Sequence, residues 1–374
     1  MLDDLTRAVL SRDEVARYLE ATRGESGAAA RDRVVAYIEE LRTTQRYPIY
    51  RALKHPLYPI LRKIERRSEH LEIVRRATEA GRVVYVSNHR SHIDYLVEPL
   101  VLDDNGIRPP IIAAGINLFG GPLGLIHRHV TGALPIRRNM KDPGYLITLK
   151  AYVAELLGKH DLFFYIEGGR SYSGELKPPK TGLVHAVLQA DRRGLVIVPC
   201  AIAYDLVLED HILARQGTKR TQRPFTRELA EMVRYAVGYR SRAFVTFGDP
   251  ISLEHRDPHA RRDVLDLAHQ TRSAIGRIVK VLPTAIVATV MGPSIAAREL
   301  ETRVAQIIDV LRAAGANLDV TDPVEAVDHA VRAFASRGII VVERGRLRVR
   351  ERNTLRFYAR AIDHLLRAPG SRTH

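Results

Sequence analysis

Apolar residues fall in short runs through the middle of the chain, at 83–86, 111–113, 133–136, 162–166, 196–203 and 243–247, separated by stretches with helical patterning. Short strands alternating with helices predict an α/β domain over residues 76–257. Before it, Val34, Val35, Ile38 and Leu41 mark one helix face, and a basic segment from Lys54 to Arg76 is broken by Pro56 and Pro59. Residues 1–75 are therefore expected to form a mostly helical region. After Asp257 the helical period returns at 260–281, 298–314 and 323–336. A hairpin is predicted at 339–342 and 347–350, turning at 343–346, with a last helix around 354–366. Residues 258–374 thus read as a helical subdomain carrying a β-hairpin.

Two long uncharged runs need testing as membrane spans. Residues 111–126 are interrupted by Gly115, Gly120, Gly121, Pro122 and Gly124, and residues 281–297 by Pro283 and Pro293. A span needs about 20 predominantly apolar residues. Both are expected to be core in preference to segments lying on a bilayer. The basic-tipped hairpin after a helix has the outline of a winged-helix fragment, but no recognition helix with its turn accompanies it, so nucleic acid is not an expected partner.

Composition narrows the partners. Lys and Arg outnumber Asp and Glu by 58 to 43, a net charge of +15, which favours polyanions, anionic lipid surfaces or phosphorylated small molecules. Cys200 is the single cysteine and sits in an apolar run, so a disulfide framework is excluded and an inert buried thiol is expected. Asp3 and Asp4 stand where a secretory leader would be basic, and the expected location is cytoplasmic.

Candidate chemistry begins at His89-Arg90-Ser91-His92-Ile93-Asp94, just past the apolar run 83–86 and the turn Ser87-Asn88. Open α/β sheets place ligands at such strand ends. Ser91-x-x-Asp94 has the form of a capping box, and a helix starting there would lean Asp94 back toward His89. A carboxylate on one imidazole nitrogen leaves the other to act as a general base. Standing alone, the same spacing is read more simply as a capped helix beside a loop histidine. His92 is the competing histidine, and no third ligand at suitable spacing makes a metal site of the pair.

Gly132-Ala133-Leu134-Pro135-Ile136-Arg137-Arg138 ends a strand in two arginines, at most one of which would face a cleft and grip a phosphate. Glu167-Gly168-Gly169-Arg170-Ser171 follows another strand and combines a carboxylate, backbone room, a guanidinium and a hydroxyl, an arrangement suited to an anion. Ser171 lacks the G-x-S-x-G setting of a nucleophile. Lys177 and Lys180 follow in a proline-rich loop and either extend the positive field or merely lie in solvent.

Taken together, HRSHID, GALPIRR, EGGRS and IVPCAIAY resemble the four blocks of the glycerolipid acyltransferase superfamily. HRSHIDYL, IIAAGINL and the Pro-Lys-Thr-Gly at 179–182 look like its bacterial glycerol-3-phosphate acyltransferase branch rather than the lysophosphatidate acyltransferases. The resemblance is strong over about residues 80–250 and looser beyond. It implies a mixed central sheet flanked by helices, His89 as base and Asp94 as its orienting carboxylate, with His92 out of register. It further implies that Arg137, Arg170 and Ser171, with Arg138 and Lys180 as additional candidates, hold a phosphate, and that Glu167 and Gly168 shape the acceptor site. The implied substrates are glycerol 3-phosphate and a fatty acyl thioester of coenzyme A or acyl carrier protein, with no cofactor or metal; the alternatives are acylation of dihydroxyacetone phosphate or a lysophospholipid or, less favoured, a non-catalytic nucleic-acid- or membrane-binding module. The implied setting is the inner face of the cell membrane, bound peripherally to anionic lipid. Two departures stand out: the chain is much shorter than large bacterial members, and Tyr172 occupies a position where close relatives often carry a second arginine.

Overall fold

The computed structural model describes residues 3–22, 27–46, 49, 63–119, 132–216 and 240–367. Its first part runs α1 (Asp4–Ser11), α2 (Asp13–Ala21), α3 (Gly27–Leu41), β1 (Ile64–Glu69), α4 (Leu71–Ala80), β2 (Arg82–Ser87), α5 (Asp94–Asp104), β3 (Ile111–Gly115) and β4 (Ala133–Ile136). Next come α6 (Pro143–Leu157), β5 (Leu162–Tyr165), α7 (Gly182–Leu188), β6 (Leu195–Tyr204), α8 (Asp210–Gln216), β7 (Ser241–Phe247) and β8 (Ile251–Ser252). The last part comprises α9 (Arg261–Ile278), α10 (Pro283–Val290), β9 (Ser294–Ala296), α11 (Ala297–Ala313), α12 (Pro323–Ser336), β10 (Ile340–Glu343), β11 (Arg346–Val349), α13 (Arg352–Ala359) and α14 (Asp363–Leu366).

The central sheet is mixed, in the order β1-β7-β6-β2-β5-β3-β4, with β8 paired to β6. β2, β3, β4, β5 and β6 run parallel, whereas β7 and β8 are antiparallel to β6. β2 lies in the interior of the sheet and is covered on both faces, which explains why its apolar run is continuous rather than alternating. Val83 and Tyr85 enter one core with Phe163, Val198 and Ile202, while Val84 and Val86 enter the other with Leu162, Phe164 and Ile197. The first core also takes α5 and the C-terminal helices; the second takes α1–α3, α6, α7 and α9.

Local chemistry starts several helices where the pattern changes. Asp142 accepts from the Gly144 amide at 2.8 Å ahead of Pro143, and Asp322 accepts from the Glu325 amide at 2.8 Å ahead of Pro323. On α9, Val264, Leu267, Ala268, Thr271 and Ile275 form the buried stripe. The hairpin β10–β11 turns through Arg344 and Gly345, both at positive φ, and β9 adds a third strand to it.

One element departs from the sequence expectation. Residues 64–69, read as part of a helical preface, form an edge strand parallel to β7. Charges at Glu65, Arg66, Arg67 and Glu69 hide the strand from apolar patterning, and an edge position tolerates them because one side of the ladder faces away from the sheet. The first half of the run 281–297 is core: Thr284, Ala285, Ile286, Val287 and Ala288 of α10 are buried among α11, α12 and α13, whereas Pro293 and Ala297 are exposed. Residues 54–62 of the basic segment and 120–126 of the other uncharged run lie outside the described residues. Among the described residues, no helix is long and apolar enough to cross a membrane.

Candidate active site

β2 and β5 end side by side, with Ser87 paired to Tyr165, and β2 ends against Cys200 of β6. Beyond that point Asn88 substitutes for the backbone ladder. Its amide donates to Ile202 O at 3.0 Å and its Oδ1 accepts from the Ile202 amide at 2.8 Å. The end of the β2–β6 ladder is thereby satisfied by a side chain, which frees the backbone of residues 89–91 to turn.

That turn wraps around a carboxylate. Asp94 Oδ2 accepts from His89 Nδ1 at 2.9 Å, the Arg90 amide at 2.7 Å and the Ser91 amide at 2.9 Å, while Oδ1 accepts from Tyr204 Oη at 2.7 Å. The predicted capping box is realised in one half. Asp94 receives the Ser91 amide, but the Ser91 hydroxyl donates to Glu209 at 2.7 Å and its contact with the Ile93 amide is long, at 3.3 Å. The helix consequently starts at Asp94 rather than directly after Ser91.

The histidine is placed for proton transfer. Its ring stacks on Tyr165 at 4.0 Å, nearly parallel, and Nε2 makes no hydrogen bond among the described residues. With Asp94 ionised, Nδ1 carries the hydrogen and the Nε2 lone pair is available. Burial pushes the His89 pKa well below the usual value, and the positive charges of Arg170, Arg138 and Lys177 push it further. Burial drives Asp94 upward, against the hydrogen bonds from Ser91, Tyr204 and Arg90. Next to this pair, Glu98 is buried with Oε1 on Ser87 Oγ at 2.5 Å, and burial followed by the Asp94 charge raises its pKa well above normal.

The glycine loop is tied to the histidine loop through its backbone. Ser171 N donates to His89 O at 2.9 Å, and Glu167 accepts from the His89 amide and the Lys177 amide, each at 3.1 Å. Glu167 is therefore a buried brace between two loops. Gly168 has φ +67, and a side chain there would crowd Lys180. The Ser171 hydroxyl donates to Glu175 O at 2.7 Å, so it closes its own loop instead of facing an anion. Lys177 Nζ donates to Gly169 O and Arg170 O, at 2.7 and 2.6 Å. Arg170 is buried against Glu209, Nη1 to Oε1 at 3.3 Å, and lies over the Tyr172 ring.

The two adjacent arginines diverge, as strand alternation requires. Arg137 is held on Glu40 of α3 and lies over the rings of Tyr37 and Tyr145, so it braces the N-terminal helices. Arg138 turns the other way. Its guanidinium packs over Gly115 and near Gly169, is exposed, and makes no hydrogen bond or ion pair among the described residues. Lys180 is exposed at the same rim. His89, Asp94, Arg138 and Arg170 are brought together; Arg137 and the Ser171 hydroxyl are engaged elsewhere. Sequence reading missed Tyr204 as the second clamp on Asp94, although it closes the IVPCAIAY block, and missed Glu209 entirely.

This arrangement can be set beside known proteins. Residues 63–203 match the family model described as Acyltransferase, and residues 228–366 match the one described as Glycerol-3-phosphate acyltransferase C-terminal region. The chain belongs to the acyltransferase superfamily. Among its acyltransferase relatives, proteins named glycerol-3-phosphate acyltransferase are 40% identical in Aeromonas hydrophila over 48% of this chain and 41% identical in Actinobacillus succinogenes over 50%. A third, from Pseudomonas paraeruginosa, is 32% identical over 68% of the chain. The matches span 23%, 24% and 31% of those relatives' own lengths. Among solved structures, the 1-acyl-sn-glycerophosphate (LPA) acyltransferase PlsC from Thermotoga maritima aligns over 72% of this chain and 93% of its own, with 12% identity and a TM-score of 0.35.

Proposed function

We propose that this acyltransferase moves a fatty acyl group from an acyl thioester, of coenzyme A or acyl carrier protein, to the sn-1 hydroxyl of glycerol 3-phosphate. The observation that carries the reading is the buried His89–Asp94 pair, its Nε2 without a hydrogen bond among the described residues, beside the cations of Arg138 and Arg170. In this mechanism His89 Nε2 takes the hydroxyl proton as the oxygen attacks the thioester carbonyl, and Asp94 supports the imidazolium. An ester C–O bond forms, the C–S bond breaks, and the proton passes to the leaving thiolate. Arg138 and Arg170, with Lys180 at the rim, hold the acceptor phosphate. A thioester is already activated, so the step calls for no metal or cofactor. The basic surface and a product that stays in the bilayer support peripheral binding to anionic lipid on the inner face of the cell membrane.

The test is one panel in which purified protein receives palmitoyl-CoA or palmitoyl-carrier protein and free thiol is followed. Glycerol 3-phosphate, dihydroxyacetone phosphate and lysophosphatidate are supplied in turn. Transfer to glycerol 3-phosphate with the acyl group on sn-1 is expected. Preference for either other acceptor moves the chain to that activity, and no thiol release with any of them ends the enzyme reading.

A further inference from the structure

We propose that Glu209 is a positioning residue that fixes Arg170, the acceptor-phosphate arginine, against the loop carrying the base, so that anion site and base keep a constant separation. Glu209 lies in the turn between β6 and α8 and is only 2% exposed. Its Oε2 accepts from Ser91 Oγ at 2.7 Å, and its Oε1 accepts from the His92 amide at 2.6 Å and from Arg170 Nη1 at 3.3 Å. One carboxylate therefore touches both halves of the site. The turn that holds it is anchored from behind by the C-terminal region. Tyr358 Oη donates to Asp210 and is met by the Val207 amide, at 2.7 and 2.9 Å, and Arg337 donates to Leu208 O at 3.0 Å and to Asp210 at 2.5 Å. This also gives the C-terminal segment a role in acceptor recognition, through a turn it never shares with substrate.

The charge of Glu209 matters because Arg170 is surrounded by like charges. Arg138 and Lys177 act on the same His89 ring as Arg170, and removing the Glu209 charge takes from the buried Arg170 guanidinium a carboxylate that offsets this repulsion, which loosens its position. Burial raises the Glu209 pKa, and the Arg170 charge, the His92 amide and the Ser91 hydroxyl act against that.

The identity of the anion rests on the proposed acyl transfer; the geometry does not. Glu209→Gln should raise KM for the phosphate acceptor at least tenfold with kcat within about threefold, because an arginine that holds a non-reacting phosphate acts on binding. With no substrate present, the His89 ring, followed by NMR, should titrate at higher pH than in the parent protein, since the Arg170 charge has moved away. The groups facing that ring are Arg170, Arg138, Lys177, Asp94 and Tyr165. An unchanged His89 titration, or an equal loss in kcat and kcat/KM at constant KM, overturns the proposal. If Glu209→Gln does not fold, Tyr358→Phe loosens the same turn and should shift KM and the titration in the same directions by a smaller factor; no shift overturns it. Should the parent protein acylate no phosphate-bearing acceptor, the functional reading fails while the His89 titration still decides the role of Glu209.

Discussion

The two halves of the site are built in opposite ways. Around Asp94 both carboxylate oxygens are filled by four donors, and His89, Arg90, Ser91 and Glu98 are all buried. Around the anion position, Arg138 and Lys180 are exposed, and Arg138 makes no hydrogen bond or ion pair among the described residues. A general base needs one tautomer and one orientation, and a packed, fully hydrogen-bonded shell supplies both before substrate arrives. An anion grip needs donors that are unsatisfied until the ligand binds, and solvent access makes such donors tolerable.

The contrast can be broken most severely at the packed half. His89→Ala should lower kcat by about 10²–10⁴-fold, with the fold retained by circular dichroism. Asp94→Asn should cost a comparable factor, because an amide donor toward Nδ1 favours the wrong tautomer. Full activity in either variant would remove the base assignment.

At the open half, Arg138→Gln should chiefly raise the acceptor KM, by about tenfold or more, one lost charge-assisted contact being worth about 1.5–3 kcal/mol. It should also move the acid limb of kcat/KM. Burial and the neighbouring cations hold the His89 ring neutral to more acid pH than a free imidazole, and Arg138 is one of those cations. Removing a positive neighbour favours the imidazolium, so the limb moves upward; a stationary limb would place Arg138 away from the base.

Smaller effects come from the supports. Tyr204→Phe removes one of the four Asp94 donors and should reduce kcat by about tenfold with little change in acceptor KM, which would separate it from Arg138. The smallest change is expected for Arg137→Gln. Its partially exposed pair with Glu40 is worth less than about 1 kcal/mol of stability, read from the denaturation midpoint, and acceptor KM should not move. A large KM effect would return Arg137 to the phosphate site.

Legibility followed the range of the interactions. The apolar runs marked β2 through β7, the edge strand β4 included, because their side chains are mostly buried, whereas β1 was missed because its edge position leaves all but Ile64 at least partly exposed and free to carry charge. His89 and Asp94 were visible as a spacing because a single turn joins them. Arg170 was visible from its strand and glycines.

What the sequence determined by itself was therefore the apolar strands β2–β7, the residues that begin several helices, and the short-range base pair. Which of Arg137 and Arg138 faces the site was left open by a rule that only separates them; packing of Arg137 onto Glu40, 97 residues away in the chain, decided it. Tyr204 and Glu209 were decided in the same way, since they meet Asp94 and Arg170 across 110 and 39 residues. Buried polar groups need partners wherever the chain supplies them, and only the tertiary fold says which residue arrives.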